Sequence, residues 1–148
     1  IANDNQKIVM FKKLKKLLQN QVSGKLIGIL GLAFKPNTDD IRESSSLKMI
    51  GSLIKEGAIV RSYDPVVSNQ VKKMVPNLNC CSSLEECVTD TDAIVIMTDW
   101  NVFRSMDLKK IYKIMRNAVI LDTRNILSTN ELKKIGFTYD NVGRKSIN

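Results

Sequence analysis

The sequence predicts an α/β fold in which a doubly wound parallel sheet follows one amphipathic helix. From Lys25 onward, short apolar runs typical of strands alternate with runs whose apolar residues recur at helical spacing. This alternation is typical of a parallel sheet with crossover helices. The chain has 148 residues, of which 43% are hydrophobic, so it is long enough for one domain with a substantial core.

The first 22 residues are predicted to form one helix. Apolar residues recur at three- and four-residue steps, whereas most of the lysines fall on other faces. The apolar stripe consists of Ile8, Phe11, Leu14, Leu17 or Leu18, and Val22. Glycine often follows the last turn of a helix, so Ser23-Gly24 marks a boundary between a helical segment at 1–22 and a sheet domain at 23–148.

Beyond that boundary, five strands alternate with five helices. The predicted strands are 26–32, 59–63, 93–97, 119–122 and 137–139. The helices are indicated by apolar stripes at Leu47, Ile50 and Ile54; at Val71, Met74 and Val75; at Leu84, Cys87 and Val88; at Leu108, Ile111, Tyr112 and Met115; and at Leu132 and Ile135. In doubly wound folds, ligands bind outside the carboxyl ends of the strands, so the loops that leave these strands are the places to look for function.

The charge balance favours an anionic partner. The formal net charge is +8, which suits a phosphorylated small molecule, nucleic acid or anionic lipid. Lys12, Lys13, Lys15 and Lys16 could follow a phosphate backbone, but the first 25 residues contain no arginine and one aromatic residue. A solvated helix face is therefore the favoured interpretation, and a nucleic-acid-binding module remains the alternative from another class.

A membrane or secreted location is not expected. No apolar run approaches the roughly 18 to 20 residues that span a bilayer, and the opening IANDNQKIVM lacks the order of a secretory signal. We therefore expect a soluble cytoplasmic protein.

The cysteines and the missing histidine limit the possible chemistry. Zinc usually takes four cysteine or histidine ligands, but the chain has only Cys80, Cys81 and Cys87 and no histidine. We therefore expect three reduced thiols and no metal site. Without histidine, catalytic triads that use it and histidine general bases are excluded.

The first strand-exit loop, GLAFKPNTDDIRES at 31–44, resembles an anion site without the usual glycine order. Gly28 and Gly31 do not fit the G-x-G-x-x-G pattern that binds dinucleotides. However, Lys35 and Arg42 flank a predicted helix start, where free N–H groups and a forked guanidinium suit phosphate oxygens. A capping box with a solvent-facing Arg42 is the alternative.

Three further loops contain candidate residues. Arg124 follows an apolar strand and could reach the same crevice, although a turn-stabilising Asp122 beside a surface arginine is the alternative. Trp100 could stack on a base or simply pack. Asp64 stands where a dinucleotide fold would hold ribose, but Pro65 makes a plain turn equally suitable.

Together these segments resemble the carboxyl-terminal portion of the nucleotide-sugar 6-dehydrogenase family. The matching segments, in order, are KLIGILGLAFKPNTDDIRESSS at 25–46, YDP at 63–65, DAIVIMTDW at 92–100 with Phe103, LDTRN at 121–125, and GFTY at 136–139 with VGR at 142–144. A threonine at 123 stands where glycine is common in the family. The resemblance implies a Rossmann-like domain that binds the UDP part of a sugar nucleotide, preceded by the end of a central helical region.

The resemblance also implies roles for individual residues. Phe34 and Lys35 would contact the UDP-sugar, with the lysine near its phosphates, and Arg124 would reach the same ligand from the neighbouring loop. Arg42 would cross the interdomain cleft to the pyrophosphate of NAD. The sequence around Phe34 favours UDP-glucose as the ligand, and the alternatives are UDP-N-acetylmannosamine and GDP-mannose.

The implied enzyme oxidises the C6 alcohol of the sugar to a carboxylate, UDP-glucose to UDP-glucuronate, in two NAD-dependent steps. Its thiol-bound intermediate forms on a cysteine of the central region, in a glycine-rich setting that surrounds none of the cysteines here. We therefore expect no catalytic residue in this chain and no dehydrogenase activity from it alone. The expected partners are a UDP-sugar and the rest of the parent enzyme, which would be a homodimer.

Overall fold

A computed structural model describes residues 2–32 and 45–142 of the chain. The predicted site residues Phe34, Lys35 and Arg42 lie outside the described residues, as do Gly143 and Arg144. The helices are α1 (Ala2–Leu17), α2 (Ser45–Lys55), α3 (Ser68–Met74), α4 (Leu84–Val88), α5 (Asn101–Arg104), α6 (Leu108–Ile114) and α7 (Thr129–Ile135). The strands are β1 (Leu26–Leu30), β2 (Ile59–Tyr63), β3 (Asn79–Cys80), β4 (Ala93–Ile96), β5 (Val119–Asp122) and β6 (Thr138–Asn141).

The strands form one parallel sheet in the order β3-β2-β1-β4-β5-β6. This order confirms the predicted doubly wound α/β fold, because the chain builds outward from β1 in one direction and then returns to β1 to build outward in the other. The turning point lies between β1 and β4, where Ile27 pairs with Ala93. Ligands of such sheets bind in the crevice outside the carboxyl ends of the two strands at this point.

Two hydrophobic clusters cover the two faces of the sheet. One contains Leu14 of α1, Leu53 of α2 and Val71 of α3. The other is built from α4, α5, α6 and α7, with the fully buried Phe103 among its largest side chains. Successive strand residues point to opposite faces, so Val95 of β4 enters the first cluster whereas Ile94 and Ile96 enter the second.

Three of the helices begin where the sequence supplies a capping side chain. Ser83, Asp107 and Ser128 precede α4, α6 and α7, and each side chain accepts a hydrogen bond from the backbone N–H three residues later. Such caps satisfy a donor that a helix start otherwise leaves unpaired. They fix where these short helices begin.

The first helix ends earlier than predicted. It stops at Leu17 rather than running to Val22, because Gln19 and Asn20 take left-handed backbone conformations with φ of 56° and 61°. The N–H of Asn20 bonds back to the carbonyl of Lys15 at 2.7 Å, which closes the helix end. Val22, which follows this turn, is still buried in the core.

Some residues that were predicted to lie on buried stripes are exposed. The exposed fractions of Ile8, Ile54 and Tyr112 are 53%, 53% and 41%, and Met10 and Met49 are buried in α1 and α2 instead. Helices of this kind bury a wide stripe, so a spacing rule alone does not identify its centre. Within the part of the chain that the structure describes, no helix is both long and apolar enough to span a bilayer.

A buried carboxylate holds the amino-terminal end of β1. Asp92, 2% exposed, precedes β4 and accepts the N–H of Leu26 at 2.9 Å. The side-chain amide of Asn117 donates to its other oxygen at 2.8 Å, and Arg116 lies 3.5 Å away. These contacts join the starts of β1, β4 and β5 at the edge opposite the crevice.

Candidate functional site at the carboxyl edge of the sheet

Four strand-exit segments meet at the carboxyl edge. They follow β1, β2, β4 and β5, which are adjacent in the sheet. Asp64, Trp100 and Arg124 lie on three of them, and the described part of the fourth ends at Leu32. The predicted loops therefore come together as the parallel topology requires.

Asp64 connects three of these segments through hydrogen bonds. One carboxylate oxygen accepts the N–H groups of Val66 and Val67, at 2.7 and 2.8 Å. The other accepts the N–H of Leu32 at 2.9 Å and the indole N–H of Trp100 at 3.2 Å. The side chain is buried and both oxygens are engaged within the protein. The structure therefore supports the turn interpretation of Asp64 over a ribose contact.

The indole of Trp100 is anchored at its nitrogen and partly open to solvent. Its N–H donates to Asp64, and 39% of the residue is exposed. It also stands just before α5, where its carbonyl accepts the N–H groups of Phe103 and Arg104. The ring thus lies at the border of the crevice in a fixed orientation.

Gly31 and Thr98 bring the exits of β1 and β4 into close contact. Gly31 has a φ of +99°. Its carbonyl accepts the hydroxyl of Ser46 at 2.8 Å, and its N–H donates to Tyr63 at the same distance. A side chain at this position would overlap Thr98, whose buried hydroxyl has no hydrogen-bond partner among the described residues. The backbone of Gly31 therefore packs directly against the side chain of Thr98 at this edge of the sheet.

Arg124 lies at the exit of β5 and faces the exit of β4. Its guanidinium is 3.9 Å from the carboxylate of Asp99, which Arg104 also approaches to 3.6 Å. The side chain of Arg124 is 47% exposed. A single carboxylate therefore lies beside two cations, and this leaves net positive charge at the edge of the crevice.

The turn that presents Arg124 is held by its neighbours. Asp122 is buried and accepts the N–H groups of Arg124 and Leu127, at 3.1 and 2.9 Å, as the turn interpretation predicted. The hydroxyl of Thr123 donates to the carbonyl of Ile96 at 2.6 Å. This bond ties the β5 exit to β4, so the threonine fits the loop through a contact that glycine could not make.

The cysteines lie apart from this site, around β3 and α4. All three are free thiols, and Cys81 and Cys87 are buried. A hydrogen bond from Cys87 to Cys81, together with burial, raises the pKa of Cys87 well above its ordinary value; the same bond lowers the pKa of Cys81. In the described ranges 2–32 and 45–142, no three His, Cys, Asp or Glu side chains are grouped as metal ligands would be.

The sequence from residue 28 to 129 matches a model of the UDP binding domain of the UDP-glucose/GDP-mannose dehydrogenase family. This chain belongs to that family. The match covers the described exits of β1, β2, β4 and β5, so the crevice described above lies within the UDP binding domain.

Curated relatives show the same family relationship over nearly the whole chain. The chain is 37% identical to UDP-glucose 6-dehydrogenase of Rhizobium meliloti over 143 residues, which are 97% of this chain and 33% of the relative. It is 34% identical to UDP-glucose 6-dehydrogenase TuaD of Bacillus subtilis, covering 99% of this chain and 32% of the relative. The chain thus spans about a third of the length of these relatives.

Solved structures share the fold. UDP-D-ManNAc dehydrogenase from Pyrococcus horikoshii superimposes with a TM-score of 0.76 at 32% identity, covering 96% of this chain and 32% of that one. NDP-N-acetyl-D-galactosaminuronic acid dehydrogenase from Methanosarcina mazei gives 0.81 at 29% identity, with coverages of 94% and 29%. The chain is therefore similar in fold to about a third of each of two dehydrogenases named for different nucleotide sugars.

Proposed function

We propose that this chain binds the UDP part of UDP-glucose within an NAD-dependent UDP-glucose 6-dehydrogenase. The observation that supports this most strongly is Arg124, which lies beside the β1/β4 crevice in a chain that matches the UDP binding domain. Many of the relatives with a comparable match carry the name UDP-glucose 6-dehydrogenase. The structural relatives keep UDP-N-acetylmannosamine and GDP-mannose as alternatives.

The chemistry of the crevice suits a diphosphate. The guanidinium of Arg124 offers several donors in a planar fork, a geometry that matches phosphate oxygens. Asp99 competes only weakly for the guanidinium of Arg124, because both side chains are about half exposed and lie 3.9 Å apart. Surface ion pairs of this kind contribute little free energy. A diphosphate could therefore displace this carboxylate.

The remaining proposed site residues are assigned from their positions in the sequence alone. Phe34 and Lys35 would contact the UDP-sugar, and Arg42 would approach the NAD pyrophosphate. NAD, the hydride acceptor, would be held mainly by a domain outside this chain. We further propose that residues 1–22 end a helical region that precedes the 23–148 domain, and that the full-length protein is a homodimer. The 148-residue chain by itself is proposed to have no dehydrogenase activity.

Calorimetric titration of the 148-residue chain tests the ligand assignment. UDP and UDP-glucose should bind more tightly than GDP-mannose, and a preference for GDP over UDP would overturn the assignment. Incubation with NAD and UDP-glucose should produce no NADH. Tight, salt-dependent binding of duplex DNA would instead support the nucleic-acid alternative.

Substitutions test the site. A hydrogen bond to a charged group contributes about 1.5–3 kcal/mol, so Arg124→Ala and Lys35→Ala should each weaken UDP binding roughly 10- to 100-fold. Lys133→Ala is the matched control, because it removes one positive charge from an exposed position in the last turn of α7. Unchanged UDP binding in both site variants would show that the site lies elsewhere.

A further inference from the structure

We propose that Asp64 is a positioning residue for the nucleotide: it fixes the exits of β1 and β4 relative to each other without touching the ligand. This inference rests on the proposed function, because it assigns to the same crevice the residue that holds its two sides in place. It adds a role for a buried carboxylate that lies behind the binding surface.

The contacts of Asp64 reach three separate segments. Its carboxylate is shared among the turn after β2, Leu32 at the end of the described β1 exit, and Trp100 beyond β4. Only 4% of Asp64 is exposed, so water does not replace these bonds when they are lost. Breaking this connection therefore releases the backbone at Leu32 on one side and the indole of Trp100 on the other, rather than exchanging one solvated contact for another.

Both released segments border the crevice. Trp100 directly follows Asp99, the carboxylate that lies beside Arg124. Leu32 directly precedes residues 33–44, which contain the proposed ligand contacts Phe34 and Lys35. Asp64 thus anchors both sides of the crevice, in addition to the backbone bond from the Met97 N–H to the Leu30 carbonyl at 2.8 Å.

Only a carboxylate can satisfy this set of donors. All four groups that meet Asp64 are N–H donors, and two oxygens supply enough lone pairs for all of them. In Asp64→Asn, the amide nitrogen would have to face either the Val66 and Val67 pair or the Leu32 and Trp100 pair. The asparagine side chain has the same size as the aspartate, but it can accept only two of the four hydrogen bonds.

Asp92→Asn is a matched control for the structural part of this effect. Asp92 is also a buried carboxylate, 2% exposed, and it also accepts an N–H of β1 at 2.9 Å. It lies at the opposite edge of the sheet, away from the crevice. Both variants should lower the midpoint of urea unfolding, but only Asp64→Asn should change the crevice.

The experiment measures UDP affinity by calorimetry for the wild type, Asp64→Asn and Asp92→Asn under conditions where each is folded. We expect Asp64→Asn to bind UDP at least about tenfold more weakly, with Asp92→Asn within about twofold of the wild type. Equal losses in the two variants, or no loss in Asp64→Asn, would overturn the proposal. If Asp64→Asn does not fold, Trp100→Phe removes the indole donor while keeping an aromatic ring, and it should weaken UDP binding severalfold; wild-type affinity in Trp100→Phe would overturn the proposal equally.

A second measurement separates this proposal from the proposed function. Trp100 is the single tryptophan of the chain, so its emission reports on the indole N–H bond without any ligand. Asp64→Ala removes both oxygens, so it should shift this emission and speed amide hydrogen exchange at Leu32, whereas Asp92→Ala should do neither. If the wild type does not bind UDP, the proposed function fails; if emission and exchange are unchanged in Asp64→Ala, the positioning role fails.

Discussion

Replacing Gly31 with alanine should destabilise the domain by about 2–5 kcal/mol, as the sum of two costs. The first is backbone conformation: the φ of +99° lies where a residue with a Cβ is disfavoured by about 1–2 kcal/mol. The second is overlap: a Cβ at Gly31 would lie 2.7 Å from Cγ2 and 2.8 Å from Cβ of Thr98, and closer still to its hydroxyl. Overpacking of this kind costs about 1–3 kcal/mol.

Urea unfolding followed by circular dichroism measures this effect. Gly51→Ala is the matched control, because Gly51 lies inside α2 and a Cβ there would meet no atom within 4 Å. Alanine favours a helix interior over glycine by about 1 kcal/mol, so this variant should be slightly more stable than the wild type. Replacing glycine with alanine should therefore lower the free energy of unfolding at Gly31 and raise it at Gly51.

A double-mutant cycle divides the cost at Gly31 between its two sources. Thr98→Ala removes the hydroxyl and Cγ2 but keeps the Cβ, so it should recover part of the steric cost in a Gly31→Ala background and none of the backbone cost. Equal unfolding midpoints for Gly31→Ala and the wild type would refute the reasoning. Additivity of the two substitutions would show that Thr98 is not the obstacle.

Two other predictions concern the rim of the crevice and the thiols. Asp99→Ala should release Arg124 from its ion pair; because exposed pairs contribute about 0.2–1 kcal/mol, UDP should bind up to about fivefold more tightly by calorimetry, and weaker binding would contradict this. Alkylation of the folded chain, followed by mass spectrometry, should label Cys80 first and Cys87 last, since burial and a raised pKa keep the Cys87 thiol protonated and inaccessible. Early labelling of Cys87 would contradict the structure.

Much of the fold was predictable because the central strands β1, β4 and β5 are buried on both faces. A strand such as LIGIL at 26–30 reads as a continuous apolar run, and alternation with helical spacing then indicates the parallel sheet. The strand β3 was not predicted, because Asn79 and Cys80 form a strand only through pairing with Arg61 and Ser62. A strand of two residues is too short to show the alternation of apolar and polar residues that identifies a strand in a sequence.

The site was predictable in its location but not in its contacts. The parallel topology brings the strand exits to one edge, so Arg124 was expected to reach the same crevice as the loop at 31–44. The pairing of Arg124 with Asp99 was not predicted, because it depends on which strands are neighbours and on side-chain conformation. The spacing left the role of Asp64 open; an aspartate followed by Pro65 after a strand was the only available signal, and it fits a turn as well as a ligand contact.

The two buried aspartates also determine the length of the central strand. Asp92 holds the N–H of Leu26 and Asp64 holds the N–H of Leu32, so the chain between them must cover a fixed distance. Removing or adding one residue there would detach one end and turn every following side chain to the opposite face of the sheet. We therefore expect the apolar side chains at Ile27, Ile29 and Leu30 to tolerate exchange for one another, but we expect no tolerance of a change in the number of residues.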